Sequence, residues 1–334
     1  MILAGDIGGT KTALALFEPS ETGIRELRGA TFPSRTYGSL EAILEEFLKD
    51  GPRGSLEAAC FGVAGRVHQG KARTTNLPWC VDAEQLANVL GTRRVRLVND
   101  LEAAAYGMLF LAPDQFEWLH PGRSPQEAAN IAIIAPGTGL GEAILYWDEQ
   151  RYRPIASEGG HADFAPRTDQ EIALLKCLRA RLGGHVSYER VLSGDGICNI
   201  YSFLRDAGDV PEPPWLRQRL ESGDRNVAIT QVGLSGEHPL CVEALDLFCS
   251  ILGAEAANLA LKCLATAGVI VGGGIAPKIL PALKKGTFMK GFTDKGRFSD
   301  WLRDIPVRVA LHPRAPLLGA ARYLIGPSRE PQHE

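Results

Sequence analysis

No metal–thiolate or disulfide framework is spelled in this chain. Its seven cysteines, Cys60, Cys80, Cys177, Cys198, Cys241, Cys249 and Cys263, are scattered, with no C-x-x-C pair and no histidine at zinc spacing. That usage reads as reduced thiols in a cytoplasmic protein. Basic charge is not in excess either: the net charge of −3 implies no extended face for nucleic acid. Long apolar runs are missing too. The opening apolar residues before Asp6 are too few for a signal peptide, and no stretch approaches a membrane span, so neither a leader nor a membrane is expected. Two common nucleotide signatures are absent from the start of the chain. Lys11 follows Thr10 rather than the second glycine of a Walker loop, and no Gly-x-Gly-x-x-Gly opens a helix there.

What the chain has instead is an aspartate and paired glycines between apolar runs. The stretch "GDIGGTKTALAL", residues 5–16, reads as a strand, a tight turn and a returning strand. The pattern occurs again: residues 131–135 are apolar, residues 136–141 spell Pro-Gly-Thr-Gly-Leu-Gly, and a strand resumes over 142–146. Two such hairpins, each opening about half of the 334 residues, predict a duplicated fold. Strands are also expected at 58–63, 95–98 and 268–271, and helices at 83–90, 169–182 and 239–264. Strands alternating with helices define an α/β class with largely buried mixed sheets. A hydrophobic content of 45% is enough for two domain cores. Residues 207–214 read as a loop and the end of the chain as a disordered tail.

Glycine admits positive φ and lets N–H groups approach a phosphate with no Cβ in the way, and Thr10 or Thr138 can add a hydroxyl. Asp6 would repel phosphate unless a divalent cation stood between them, which makes it a candidate for Mg²⁺ held through water. Ordinary hairpins also use glycine pairs, but two copies in register favour the phosphate reading. Asp100 follows an apolar strand at the edge where α/β sheets place ligands. It reads either as a carboxylate for proton transfer or as the N-cap of a helix beginning at Leu101. In "SEGGHADF", Glu158 and His161 surround two glycines and could accept from and donate to hydroxyls; taken alone, His161 reads more readily as a structural histidine. "VIVGGGIAP", residues 269–277, is a strand running into three glycines, either a turn that needs them or a place where a nucleotide lies close to backbone.

The motifs "GDIGGTKT", "LVNDLEAAAYG", "PGTGLGEA", "EGGHADFAP", "SYERVLSG" and "VGGGIAP", in that order across nearly the whole chain, resemble bacterial glucokinases of the proteobacterial type, in the sugar kinase, heat-shock and actin superfamily. The resemblance implies a soluble, cytoplasmic, ATP- and Mg²⁺-dependent kinase of glucose that works as a homodimer. It implies an α/β fold of duplicated ribonuclease-H-like, actin-like ATPase domains with a cleft between a small and a large domain. Residues 1–110 plus 312–326 would form the small domain and 111–311 the large one, leaving 327–334 as the tail.

For the site, the resemblance makes Asp100 the general base that takes the proton of the sugar 6-hydroxyl. Asn99, Glu158, His161 and Glu189 would contact sugar hydroxyls, with Asn76 of "TNLPW" a further contact. Gly8, Gly9, Thr10 and Lys11 of the first turn and Gly137, Thr138 and Gly139 of the second would hold the phosphates. Asp6 would serve the cation, and Gly273 and Gly274 would lie near adenosine. Glu189 owes its assignment to the resemblance alone, since its surroundings read as an exposed helix charge. "DKGRF", residues 294–298, also belongs to the resemblance but carries no assigned chemistry. Two stretches depart from the family pattern: Pro136 stands ahead of the second glycine turn, and "FGVAGR", residues 61–66, has glycine where cysteine and proline are usual. The cysteine-rich zinc motif of a related repressor and kinase group is absent.

A kinase of another hexose, or a catalytically silent sugar sensor of the same fold, are the alternatives. A sensor would be expected to lose Asp100 or a glycine turn, and neither is lost. A transcriptional regulator would need a winged helix ahead of Gly5, where only four residues stand. A filament protein or chaperone ATPase would have no reason for the Glu158, His161 and Glu189 set.

Overall fold

A computed structural model describes residues 1–325 apart from 21–22, 50, 52–53, 75–76, 124–125, 127 and 209. The expected contact Asn76 and the expected tail 327–334 therefore lie outside the described residues. The chain forms two compact units: Met1–Pro113, Asp148–Ala156 and His312–Glu334 make the first, and Asp114–Trp147 and Ser157–Leu311 the second.

In the first unit the sheet runs Gly23–Pro33, Lys11–Ser20, Ile2–Ile7, Ala58–Val63, Val95–Asn99. Ile2–Ile7 pairs antiparallel with its hairpin partner and parallel with Ala58–Val63, which pairs parallel with Val95–Asn99. Successive strand side chains point to opposite faces, and here both faces are covered. Leu3, Ile7, Leu14, Leu16, Phe61 and Leu97 enter one core with Ile43, Leu44 and Phe47 of the helix Leu40–Lys49. Ile2, Ala4, Ala15, Phe17, Cys60 and Val98 enter the other, with Ala103 and with Leu317, Ala320 and Ala321 of the helix Ala315–Ile325.

The second unit repeats this logic. Ile131–Pro136 pairs antiparallel with Leu140–Trp147 on one side and parallel with Gly268–Val271 on the other, which pairs parallel with Val307–Ala310. Phe116–His120 closes the far edge antiparallel to Val307–Ala310. Its core is built around the helix Pro239–Cys263, apolar on nearly every side and buried accordingly. Two hairpin-plus-parallel sheets are the duplication expected from the two glycine turns.

Expected elements match closely at Ala83–Leu90, Asp169–Leu182 and Gly268–Val271. The long helix stops at Cys263 rather than at 264 because Leu264 takes a left-handed conformation, φ 50°, and caps it through an N–H bond to Ala260 O. The loop expected over 207–214 lies between the helices Gly194–Ala207 and Pro214–Glu221, with Gly208 at φ 84° ending the first and Pro214 starting the second.

The helix Asp100–Met108, which follows the strand Val95–Asn99, crosses Ala315–Ile325 at glycines. A Cβ on Gly319 would lie 1.7 Å from Ala103 O, and one on Gly107 1.9 Å from Ala315 O. Alanine normally favours a helix over glycine by about 1 kcal/mol, but at Gly319 the backbone clash should outweigh that gain. Gly319→Ala should lose about 1–3 kcal/mol of stability. Gly38→Ala, where a Cβ meets nothing within 4 Å, should stay within about 0.5 kcal/mol of the parent. Urea unfolding of both variants checks this; a Gly319→Ala protein as stable as its parent would show that the helices are not held at this spacing.

Candidate active site

Asp6 stands at the end of the strand Ile2–Ile7, opposite Ala13 on one side and Gly62 on the other. With apolar neighbours on both faces, its carboxylate has little water to stabilise it. Burial first, and the Asp100 carboxylate second, push its pKa up to about 7. The turn after it closes through Gly8 N–H, which donates to Lys11 O at 3.0 Å. That bond commits the Gly8 amide within the turn, whereas the amides of Gly9 and Thr10 make no hydrogen bond among the described residues. Thr10 and Lys11 are exposed.

Asn99 and Asp100 follow from the parallel strand Val95–Asn99. The helix begins at Asp100, and its N-cap is Asn99 rather than Asp100: Asn99 Oδ1 accepts from the N–H groups of Leu101 at 3.0 Å and Glu102 at 3.2 Å. Asn99 Nδ2 donates to Gly65 O at 3.3 Å. Asp100 Oδ1 accepts from Leu101 N–H at 2.9 Å. Gly62 lets this helix start approach the sheet, since a Cβ there would sit 3.3 Å from Asp100 Cα.

In the second unit the turn after Ile131–Pro136 closes through Gly137 N–H to Gly139 O at 2.8 Å, so this amide too is used within its turn. Gly137 O accepts from Gly194 N–H at 3.0 Å. Glu189, on the short turn Tyr188–Arg190, reaches back: its Oε2 accepts from Leu140 N–H at 3.0 Å, and a Cβ on Gly139 would lie 2.4 Å from it. The triple glycine lies alongside. Gly272 N–H donates to Ile134 O at 2.8 Å and Ile275 N–H to Pro136 O at 3.2 Å, leaving Gly273, at φ 76°, and Gly274 exposed. Glu158 and His161 flank the turn Gly159–His161; their side chains are 72% and 61% exposed and stand 4.0 Å apart, turned to solvent rather than packed as a core histidine would be.

Glu189 is thus no free helix charge; it is bonded to the backbone of the glycine turn, a contact between distant stretches that local spacing could not reveal. Local sequence pattern does not mark Glu142, Tyr188, Glu255, Asn258 and Lys295 as a group, yet they form a largely buried polar cluster beside the Glu158 and Glu189 segments. Only the identity of Glu142 inside an otherwise apolar strand could have signalled it. No group of three or more His, Cys, Asp or Glu forms a ligand cage among the described residues. Mg²⁺ keeps most of its waters and needs only one or two carboxylates, a requirement that Asp6, raised in pKa and paired with no cation among the described residues, fits.

The duplicated arrangement is the ribonuclease-H-like fold of the sugar kinase, heat-shock and actin superfamily. Residues 3–326 match the family model described as glucokinase. A glucokinase of Nostoc punctiforme is 41% identical over 337 residues, covering 96% of this chain and 98% of the relative. The crystal structure of a glucokinase from an Antarctic psychrotroph superposes with a TM-score of 0.83 at 32% identity, over 97% of this chain and 98% of that one. A ROK-family glucokinase from Streptomyces griseus, solved with glucose and AMPPNP, shares the fold with a TM-score of 0.65 at 23% identity, over 96% and 98%. The chain belongs to the glucokinase family.

The raised pKa of Asp6 has a stability consequence. In the unfolded chain Asp6 ionises near 3.8, whereas the folded protein keeps its proton to about 7. Between those values folding therefore takes up a proton, and stability falls by up to about 1.4 kcal/mol per pH unit before levelling off above the folded pKa. Asp6→Asn removes that loss. Without nucleotide or Mg²⁺, its melting temperature should exceed the parent's by clearly more at about pH 8 than at about pH 5. Paired thermal melts measure this, and an equal difference at both pH values would contradict the assignment.

Proposed function

We propose that this protein transfers the γ-phosphoryl group of ATP to the 6-hydroxyl of D-glucose by direct in-line displacement. Supporting this reading is Asp100, a partly accessible carboxylate at the carboxyl end of a parallel strand, in a chain that matches the glucokinase family along its length. Phosphoryl transfer asks mainly for positioning and charge stabilisation, with a carboxylate to accept the proton of the attacking hydroxyl. Asp100 takes that proton. Because Asn99 supplies the helix cap, the Asp100 carboxylate is not needed for capping; Asn99 keeps its second Nδ2 hydrogen for a sugar hydroxyl. Glu158 and Glu189 accept from further hydroxyls and His161 pairs with another. Phosphate oxygens are received by the amides and hydroxyls at Gly9–Thr10 and Thr138–Gly139, while Gly8 and Gly137 fix the turns, and Lys11 adds positive charge. Gly273 and Gly274 take the adenosine side. Asp6 would hold Mg²⁺ through water, and the cation would supply neutralisation of phosphate charge there. The same reading makes the enzyme a cytoplasmic homodimer.

Glucose-dependent ADP release, with no release in the absence of sugar, tests the activity, and mannose, fructose and glucosamine in the same assay separate a glucokinase from a kinase of another hexose. Glu158→Gln should weaken glucose binding by about 1.5–3 kcal/mol, since an amide matches only part of a carboxylate's paired acceptance; titration with glucose reads it, and unchanged affinity would remove Glu158 from the site. Asp100→Asn keeps shape and the bond from Leu101 N–H but cannot accept the proton, so kcat should fall about 10²- to 10⁴-fold. Its melt should stay close to the parent's. A variant that melts like the parent and turns over within a few-fold of it would sink Asp100 as base.

A further inference from the structure

Below the segment that carries Glu158 and His161 lies a buried carboxyl pair. Glu142, 1% exposed on the strand Leu140–Trp147, is hydrogen-bonded to Glu255, 0% exposed on the helix Pro239–Cys263. Gly159 rests directly on this pair: a Cβ there would lie 2.1 Å from Glu142 Oε2. The amide of Gly159 does not serve the carboxyl, since it donates to Ser157 Oγ at 2.8 Å. Neither Glu142 Oε1 nor Glu255 Oε1 has a hydrogen-bond partner among the described residues.

The pair extends to the second sugar segment and to "DKGRF". Asn258 Nδ2 donates to Glu255 Oε2 at 2.7 Å and to the Tyr188 hydroxyl at 3.0 Å, and Tyr188 is also hydrogen-bonded to Glu255. Tyr188 immediately precedes Glu189. Lys295 Nζ donates to Asn258 Oδ1 at 2.5 Å, which gives the otherwise unassigned "DKGRF" segment a place in the network.

We propose that Glu142 and Glu255, buried and hydrogen-bonded to each other, act as a positioning pair for the sugar site, the common footing of the Glu158–His161 and Glu189 segments. The inference rests on the glucose reading above and goes beyond it in making affinity depend on two residues that touch no substrate. Two carboxylates in contact inside an apolar core cannot both ionise without large cost. Burial, with Glu255 next, pushes Glu142 up to about 8. Below that pH the proton stays and the segment above lies on a neutral carboxyl, whereas above it a second charge appears under Gly159, whose amide is bonded to Ser157 Oγ. Solvating that charge requires water beneath Gly159, which displaces Glu158 and His161.

Other charges bear on the pair. Lys262 faces Glu255 Oε1 at 3.7 Å from its own helix and pulls the pKa of Glu142 down. Lys295, itself lowered in pKa by burial, faces Arg167, Glu255, Asp294 and Glu171. Tyr188 stays protonated throughout, raised by burial and by Glu255.

The test is calorimetric titration of the purified chain with glucose, without nucleotide, from about pH 7 to about pH 9.5, alongside kcat and KM. The parent's Kd should rise at least about threefold above pH 8, with about tenfold per unit as the limiting slope, while kcat at saturating glucose changes much less. Glu142→Gln, neutral at every pH and still able to donate to Glu255, should bind glucose near the parent's affinity at about pH 7 and lose the alkaline rise. Lys262→Met, altering an exposed side chain, should shift the rise to higher pH by removing the cation that lowers the pKa of Glu142. It answers the question even if Glu142→Gln folds poorly. A parent Kd flat across the range, an alkaline rise that persists in Glu142→Gln, or one unmoved in Lys262→Met overturns the pair's role. Absence of glucose binding by the parent at about pH 7 would instead overturn the glucose reading itself.

Discussion

A carboxylate at the end of a strand buried on both faces has nowhere to spread its charge. Asp6 is in that position because Ile2–Ile7 lies inside its sheet, between its hairpin partner and Ala58–Val63, and because alternate residues of the strand enter opposite cores. The placement that makes the sheet stable makes the acid costly, and Asp100 nearby adds to the cost. The proposed cation at this strand end would relieve both carboxylates at once. The helix start at Asn99 serves the same end. Asn99 caps the helix with an amide and so holds the adjacent Asp100 carboxylate within one residue of a fixed point.

The second unit handles buried acid differently. Its hairpin carries Glu142 at the register position where the first carries apolar Leu14, and burial, with Glu255 beside it, keeps that acid protonated to about 8. A protonated Glu142 puts a neutral carboxyl under the glycine segment, while Asn258 donates to Glu255 Oε2 and accepts from Lys295 at its own Oδ1. One duplicated frame thus holds one acid that is relieved from outside and one relieved from within.

Much of the frame was legible in the sequence, for definable reasons. Both hairpins announced themselves because glycine turns interrupt strands that are apolar on both faces, and the helix Ala83–Leu90 carries Asp82 at its N-cap and Gly91 at its end. Other elements gave no comparable signal. Gly23–Pro33 is an edge strand with charged residues on both sides, so neither alternation nor an apolar run marks it. The stop at Leu264 uses a left-handed conformation in a residue that seldom adopts one. In the site, Asp100 and the glycine turns could be argued from local pattern, but Glu189 could not, because its defining contact is to the backbone of Leu140. Glu255 reads in sequence as one acid in an alanine-rich helix, and only the packing of that helix against the strand of Glu142 reveals what it is.

The bond from Leu140 N–H to Glu189 ties these observations to catalysis. An acid expected to hold sugar is fixed to the backbone of a turn expected to hold phosphate, and Gly139 has no side chain because that carboxylate occupies the space. One direct hydrogen bond thus joins Glu189 to the glycine turn. Tyr188, the preceding residue, is held from below by Asn258 and Glu255. Glu189 therefore has its two sides set by different parts of the unit: the glycine turn fixes where its carboxylate points, and the buried carboxyl pair fixes where its backbone lies. Positional accuracy of this kind is what phosphoryl transfer requires of a protein, since the reacting groups need placement and charge stabilisation more than covalent help.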